Sequence, residues 1–264
     1  MKFCAELICI GNELLIGKVV NTNASWLAEK ITGLGGNVRR IEVVPDELDE
    51  ISDAIRLALR RNPFIIITTG GLGPTYDDMT LAGVARALDV ELEVNEKALE
   101  MVRSKYASMS LEITPARAKM ANLPKGGTAI ANPVGTAPGC LVEFAGTKIV
   151  SLPGVPSEMQ AIFTRSVAPM LEAASGGMVF REASLVFQGI PESALAPILD
   201  EVRKRNSLAY FKSHPKMYEG VPLIEVHIST TEASKEKAEE VVRKGLLDLK
   251  EAVVLHGAKV LKEP

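Results

Sequence analysis

Residues 64–67, Phe-Ile-Ile-Ile, are apolar at every position, and Thr68-Thr69-Gly70-Gly71-Leu72-Gly73-Pro74-Thr75-Tyr76-Asp77-Asp78 follows at once. A short β-branched run with no polar face is buried on both sides, as parallel strands covered by helices are. Gly70, Gly71 and Gly73 then supply a turn in which the backbone is open to a ligand, and residues 79–88 resume with a helical pattern. A glycine turn running from a strand C-terminus into a helix N-terminus offers unpaired N–H groups to an anion. The turn lacks the third glycine of the dinucleotide fingerprint, and no Gly-Lys-Ser/Thr follows it. On spacing alone two readings stand: a phosphate cradle flanked by Asp77 and Asp78, or a plain turn whose aspartates cap the helix.

The flanking chain repeats the pattern. Residues 3–10 read as a strand ending at Gly11-Asn12-Glu13, and Thr22 or Asn23 caps a helix patterned by Trp26, Leu27 and Ile31. Residues 38–44 form a second strand with Asp46 just past its end, and Leu48, Ile51, Ile55 and Leu59 share one helical face. This βαβαβα succession calls for a parallel sheet with right-handed crossovers. Helices are expected near 95–107 and 115–122, and a shaped Pro/Gly loop over 132–139. A hairpin of 140–144 with 148–152 should follow, then a helix from Pro156 to about 172. Ligands of open α/β sheets bind beyond the strand C-termini, so the loops at Asn12, Asp46, Gly70 and Gly154 are expected to converge.

Small residues at 173–177 divide the chain into expected domains 1–174 and 178–264. The second reads strand 179–188, helix 191–204, strands 207–212 and 222–230, helix 233–250 and strand 252–256, the ferredoxin-like order. His214 and His227 read as lone histidines there, with Lys212, His214 and Lys216 as an alternative anion-receiving patch.

The composition, 264 residues with 47% hydrophobic, 24% charged and a net charge of −3, has no basic footprint for nucleic acid. No membrane span or signal segment is read, so a cytoplasmic location is expected. Cys4, Cys9 and Cys140 have no metal-ligand spacing and read as reduced core residues.

Several motifs together resemble one family. Gly11-Asn12-Glu13-Leu14-Leu15-x-Gly17 with Asn21-Thr22-Asn23, Val44-Pro45-Asp46, residues 69–80, residues 132–139 and residues 152–159 are similar to the N-terminal part of CinA-like proteins, within the molybdopterin-binding MoaB/Mog group. The resemblance implies an α/β domain with a mainly parallel sheet flanked by helices, followed by a smaller α+β, ferredoxin-like or KH-like, domain. It also implies a homo-oligomer. CinA proteins often add a C-terminal nicotinamide-mononucleotide deamidase domain; the chain ends at Pro264 without one, so that activity is not expected. Lacking a G-x-x-G loop over 212–220, the second domain is not expected to clamp nucleic acid.

Two activities follow from the resemblance. One is metal-dependent cleavage of ADP-ribose to AMP and ribose 5-phosphate, and the other is binding and adenylation of molybdopterin. A non-catalytic module binding a nucleotide or pterin is a third reading. The resemblance implies Asp78 and Asp46 as catalytic groups and a divalent Mg, Mn or Co; Asp78, with the neighbouring carboxylates Asp77 and Glu13, is read here as its ligand set. Gly70, Gly71 and Gly73 would hold a diphosphate, with Gly11, Asn12, Asn23, Thr69 and Thr75 beside them. Asn132, Pro133, Gly135, Thr136, Gly154 and Pro156 would shape the rest of the pocket, and Glu158, one turn into a helix, reads either as a further pocket residue or as a surface carboxylate complementing the helix dipole. The Mog-type loop usually has Arg before its last Asp; here that residue is Asp77, which favours a cation over an unassisted phosphate and tilts the reading towards hydrolysis.

Overall fold

The computed structural model describes residues 3–218 and 220–262, so the outermost residues of both expected domains lie outside the described residues. The chain divides into two compact units, Met1–Thr32 with Gly36–Ser175, and Gly33–Gly35 with Gly176–Pro264.

The first unit runs β1 (Cys4–Ile10), α1 (Asn12–Leu15), α2 (Thr22–Gly33), β2 (Asn37–Val44), α3 (Leu48–Arg60), β3 (Ile65–Thr69) and α4 (Thr80–Leu88). It continues through β4 (Leu92–Val94), α5 (Glu96–Ser108), α6 (Pro115–Ala118), β5 (Asn122–Pro124), β6 (Thr128–Ile130), β7 (Gly139–Phe144) and β8 (Thr147–Leu152). It closes with α7 (Pro156–Ile162), a π-helical turn over Phe163–Val167, and α8 (Ala168–Ser175). The main sheet has the order β2-β1-β3-β8-β7-β6. Strands β2, β1, β3 and β8 are parallel, and β7 and β6 are antiparallel.

The buried apolar run expected at residues 64–67 is realised in β3, which pairs with β1 on one side and β8 on the other and is buried throughout. Ile8, Ile10 and Ile66 join a core with Ile51, Ile55, Val84 and Val102 of α3, α4 and α5. By strand alternation Leu7, Cys9, Ile65 and Ile67 point the other way and are also buried. On that side Trp26 of α2 meets Phe163 edge-on at 5.4 Å. Because β2 lies on one side of β1 and β3 on the other, the topological switch falls between β1 and β3, where the Gly11 and Gly70 turns begin.

Some local expectations need correction. Residues 12–15 form the one-turn helix α1 rather than an open loop, and residues 115–122 break after α6 into a 3₁₀ turn and then β5. The pairing of β5 with β4 brings together segments about thirty residues apart that carry no shared sequence signal. All three cysteines are free, but only Cys9 and Cys140 are buried; Cys4 is half-buried.

The second unit runs β9 (Val179–Gln188), α9 (Glu192–Arg205), β10 (Tyr210–Tyr218), β11 (Val221–Glu232), α10 (Lys235–Leu255) and β12 (Lys259–Lys262). Its antiparallel sheet has the order β10-β11-β9-β12, the ferredoxin-like arrangement. Residues 252–256 are not the last strand: Leu249 and Val253 continue the buried face of α10, and β12 begins only after the turn at Gly257. The two histidines are not isolated either. Their rings meet edge-on at 5.0 Å, and His227 lies 3.1 Å from Glu182 and 3.4 Å from Glu225. Lys216 pairs with Glu225, and that contact above all draws the carboxyl down to about 2. The basic stripe of β10 is therefore partly neutralised within the sheet.

Candidate active site

The site lies along the C-terminal edge of the parallel sheet. Its centre is the turn after β3. Gly70 has φ 98° and Gly71 φ 62°, and a Cβ on Gly70 would fall 2.2 Å from the carbonyl oxygen of Ile10. Only glycine fits a positive φ so close to another backbone. The Gly70 N–H donates to Leu152 O at 3.0 Å, and its carbonyl accepts from the buried Thr80 hydroxyl at 2.8 Å. The turn is thus fastened to β8 and to the first residue of α4.

The carboxylates are held by short-range bonds. Asp78 Oδ2 accepts from the Thr75 amide at 2.7 Å and lies 2.5 Å from the Thr75 hydroxyl, which also contacts Asp77 Oδ1. One hydroxyl proton serves one of those carboxylates at a time. Lys119 Nζ donates to the Thr75 carbonyl. Asp77 is held below the usual carboxylate range, first by the Thr75 contact and then by its own backbone N–H, with the Lys119 charge adding to the effect. Across the switch point Asp46 Oδ2 accepts the Asn12 amide at 2.8 Å. Burial pushes the Asp46 carboxyl up. The Asn12 bond opposes that push, and the charges of Glu13, Asp77 and Asp78 add to it. Four carboxylates from three loops therefore share one field.

A cleft of about 420 Å³ gathers Gly11, Glu13, Asp46, Gly70, Gly71 and Gly73 with Thr75, Asp77 and Asp78. Thr136, Gly154 and Glu158 form its remaining expected wall. Its volume is that of a small-molecule site, and no Lys, Arg or His is among its described lining residues. Asn23, Thr69 and Pro156 instead line an adjoining recess of about 90 Å³, where Asn23 Nδ2 donates to Gly154 O at 2.7 Å. Asn132 and Gly135 line a separate depression of about 310 Å³ beside Lys105, whose ammonium donates to Pro133 O at 3.3 Å. Asn12 reaches the cleft only through its amide bond to Asp46.

Sequence reasoning left out Leu72, Pro74, Ala137, Pro153 and Val155, which also line the cleft, and Lys119 beside the loop. The lining residues sat inside the motifs already singled out. Lys119 sits forty-four positions from Thr75 and carried no signal. Among the described residues, no three His, Cys, Asp or Glu side chains converge as a ready-made metal cage.

Residues 6–173 match the family described as "Probable molybdopterin binding domain". The chain belongs to that family. Over 245 residues it is 52% identical to a protein of Pyrobaculum arsenaticum, spanning 92% of each chain. It is 44% identical over 260 residues to a protein of Aeropyrum pernix, covering 98% of this chain and 97% of that one. A solved structure described as CinA, of unknown function, from Thermoplasma acidophilum is 43% identical, with a TM-score of 0.60 over 64% of this chain and 98% of its own. This family member is thus CinA-like, as its motifs implied, and it carries a MoaB/Mog-like α/β domain and a separate antiparallel unit. No helix among its described residues is long and apolar enough to cross a membrane.

Proposed function

We propose that the protein is a divalent-metal-dependent nucleotide pyrophosphatase that cleaves ADP-ribose to AMP and ribose 5-phosphate. One observation carries this reading: a glycine turn suited to phosphate shares its cleft with five carboxylates, and no cationic side chain is among the described lining residues. Phosphate placed beside that field is repelled unless a cation accompanies it. The donor set is all oxygen, which suits Mg²⁺ or Mn²⁺ rather than a thiolate- or imidazole-seeking metal. Mg²⁺ is commonly held by one or two carboxylates together with substrate phosphates, so a ready-made protein cage is not required. Asp78 and Glu13 are the residues that would hold it, with Asp77 beside them. When bound, the ion would offset charge on the phosphoryl oxygens.

The protein's own groups do the rest. The Gly70 N–H is committed to Leu152 O, so the backbone N–H groups of Gly71, Leu72 and Gly73 are the ones that hold phosphate oxygens. Asp46, fixed through Oδ2 by Asn12, keeps Oδ1 for a water and takes one proton from it as the water oxygen attacks phosphorus. The bond from that phosphorus to the bridging oxygen breaks, and its electron pair leaves with the departing phosphate. The raised proton affinity of Asp46 makes it a stronger base than an ordinary aspartate. Thr75 keeps Asp78 in place through its amide and hydroxyl.

The test is incubation of the metal-stripped protein with ADP-ribose and Mg²⁺, Mn²⁺ or Co²⁺ added singly. AMP that forms only with metal and is lost in Asp78→Asn supports the reading. The family match over residues 6–173, described as probable molybdopterin binding, supports a second reading in which the same cleft binds molybdopterin, and the resemblance adds its adenylation. Absence of AMP with every metal, with pterin adenylation by ATP, would establish that reading instead.

A further inference from the structure

Glu158 stands in the cleft wall and is bonded by Asn132, which lines the neighbouring depression, in a geometry that proton transfer at the diphosphate does not use. The Asn132 side chain is saturated. Its Oδ1 accepts the amides of Val134 at 3.0 Å and Gly135 at 2.8 Å, and its Nδ2 donates to Ala137 O at 2.8 Å and to Glu158 Oε2 at 2.7 Å. Two donors and two acceptors is all an asparagine amide has. Asn132 therefore acts through Glu158 and the loop, as a positioning residue. The space for that carboxylate is reserved by Gly135, where a Cβ would fall 1.9 Å from Glu158 Oε2. Glu158 is half-buried and lines the main cleft beside Gly154 and Val155.

Glu158 also stands apart from the other four carboxylates. It stands in the first turn of α7, which follows β8, the strand on the side of β3 away from β1 and β2, so it flanks the glycine turn opposite Asp46. A carboxylate on that flank of a diphosphate held by the turn faces the sugar attached to that diphosphate. Carboxylates recognise ribose by accepting its hydroxyl protons, the role an acidic residue has in dinucleotide sites.

We propose that Glu158, oriented by Asn132, accepts the vicinal hydroxyls of a ribose flanking the diphosphate, which makes the cleft selective for ribosyl phosphates. The inference rests on the phosphoanhydride reading for the position of the diphosphate. The test is calorimetric titration of the full chain with Mg²⁺ present, in an Asp46→Asn background for ADP-ribose so that it is not turned over, using ADP-ribose, AMP and 2′,3′-dideoxy-AMP, and ribose 5-phosphate with its 2,3-dideoxy form. Glu158→Gln keeps the side chain's shape and an acceptor for Asn132 while removing the charge. For ADP-ribose, and for at least one of the two product pairs, the hydroxylated ligand should bind about tenfold or more weakly to Glu158→Gln, and the dideoxy form equally to both proteins. Equal loss for the hydroxylated and dideoxy ligands would mean that Glu158 only buttresses the loop, and would overturn the proposal. So would wild-type binding that ignores the hydroxyls, or no binding of any ligand. Hydroxyl-dependent binding without metal-dependent hydrolysis would sink the hydrolase reading and leave this inference standing.

Discussion

The amide of Asn12 donates to Oδ2 of Asp46 at 2.8 Å, tying the residue after the β1 turn to the residue beyond β2 across the switch point of the sheet. Half of the Asp46 carboxylate is thereby committed to the fold, and the other half is left for chemistry. The same residue is partly buried and faces Glu13, Asp77 and Asp78, so its charged form is disfavoured in the folded protein.

Asp46→Asn should abolish turnover, with a loss of roughly 10²–10⁴-fold, and should also stabilise the protein at neutral pH. The sign follows from linkage. A carboxyl whose folded value is raised contributes stability below its unfolded value and loses it as pH rises through the folded one. Asparagine removes that loss and can still accept the Asn12 amide. Thermal melts at pH 7 should show a higher midpoint for the variant, and at pH 3 a smaller difference.

The pH–rate profile of the wild type should carry the same signature. Its acid limb reports the group that must be ionised to take a proton, so it should lie above the ordinary aspartate value of 3.8. Charge reversal of a contributor, Asp77→Lys, should move that limb to lower pH. A limb that stays in place would remove Asp46 as the base.

Gly70→Ala should cost about 2–3 kcal/mol in chemical denaturation, because the new Cβ meets the Ile10 carbonyl at 2.2 Å and φ is 98°. Gly126→Ala is the control. Its φ is 80°, but a Cβ there meets nothing within 4 Å, so only the backbone strain of about 1 kcal/mol should register.

Arg61→Ala should be among the most damaging changes far from the cleft. Arg61 makes a bidentate pair with Glu6 at 2.6–3.1 Å, and Glu6 is 2% exposed. Removing the guanidinium leaves a buried carboxylate unpaired, about 3–5 kcal/mol in denaturant titrations. Replacing both residues by apolar ones of similar volume should recover most of that loss.

The parallel core was legible because β3 has no polar face and because Ile51 and Ile55 mark the buried stripe of α3. The convergence of the loops at Asn12, Asp46, Gly70 and Gly154 followed from strand order, since each loop leaves a parallel strand, although at the first of them Gly11 lines the cleft and Asn12 stands behind it, bonded to Asp46. The end of α10 was not legible. Val253, Val254 and Leu255 look like a strand, but tertiary packing of Val253 beneath the second sheet overrides β-propensity. The separation of Asn132 from the main lining was equally hidden, because it depends on where the side chain's four hydrogen bonds go rather than on its place in the motif. The meeting of His214 and His227 required the register of β10 against β11, which sets Lys212 opposite His227 and His214 opposite Glu225.

Hydrolysis of ADP-ribose in ¹⁸O-labelled water, with Mg²⁺ or Mn²⁺ restored to the metal-stripped protein and the products analysed by mass spectrometry, tests the central claim most directly. Water attack at the phosphoanhydride predicts AMP and ribose 5-phosphate in equal amounts, one ¹⁸O in the phosphate of one of them, and no products without metal. Unlabelled products, or no cleavage with any divalent ion by folded protein, would contradict it.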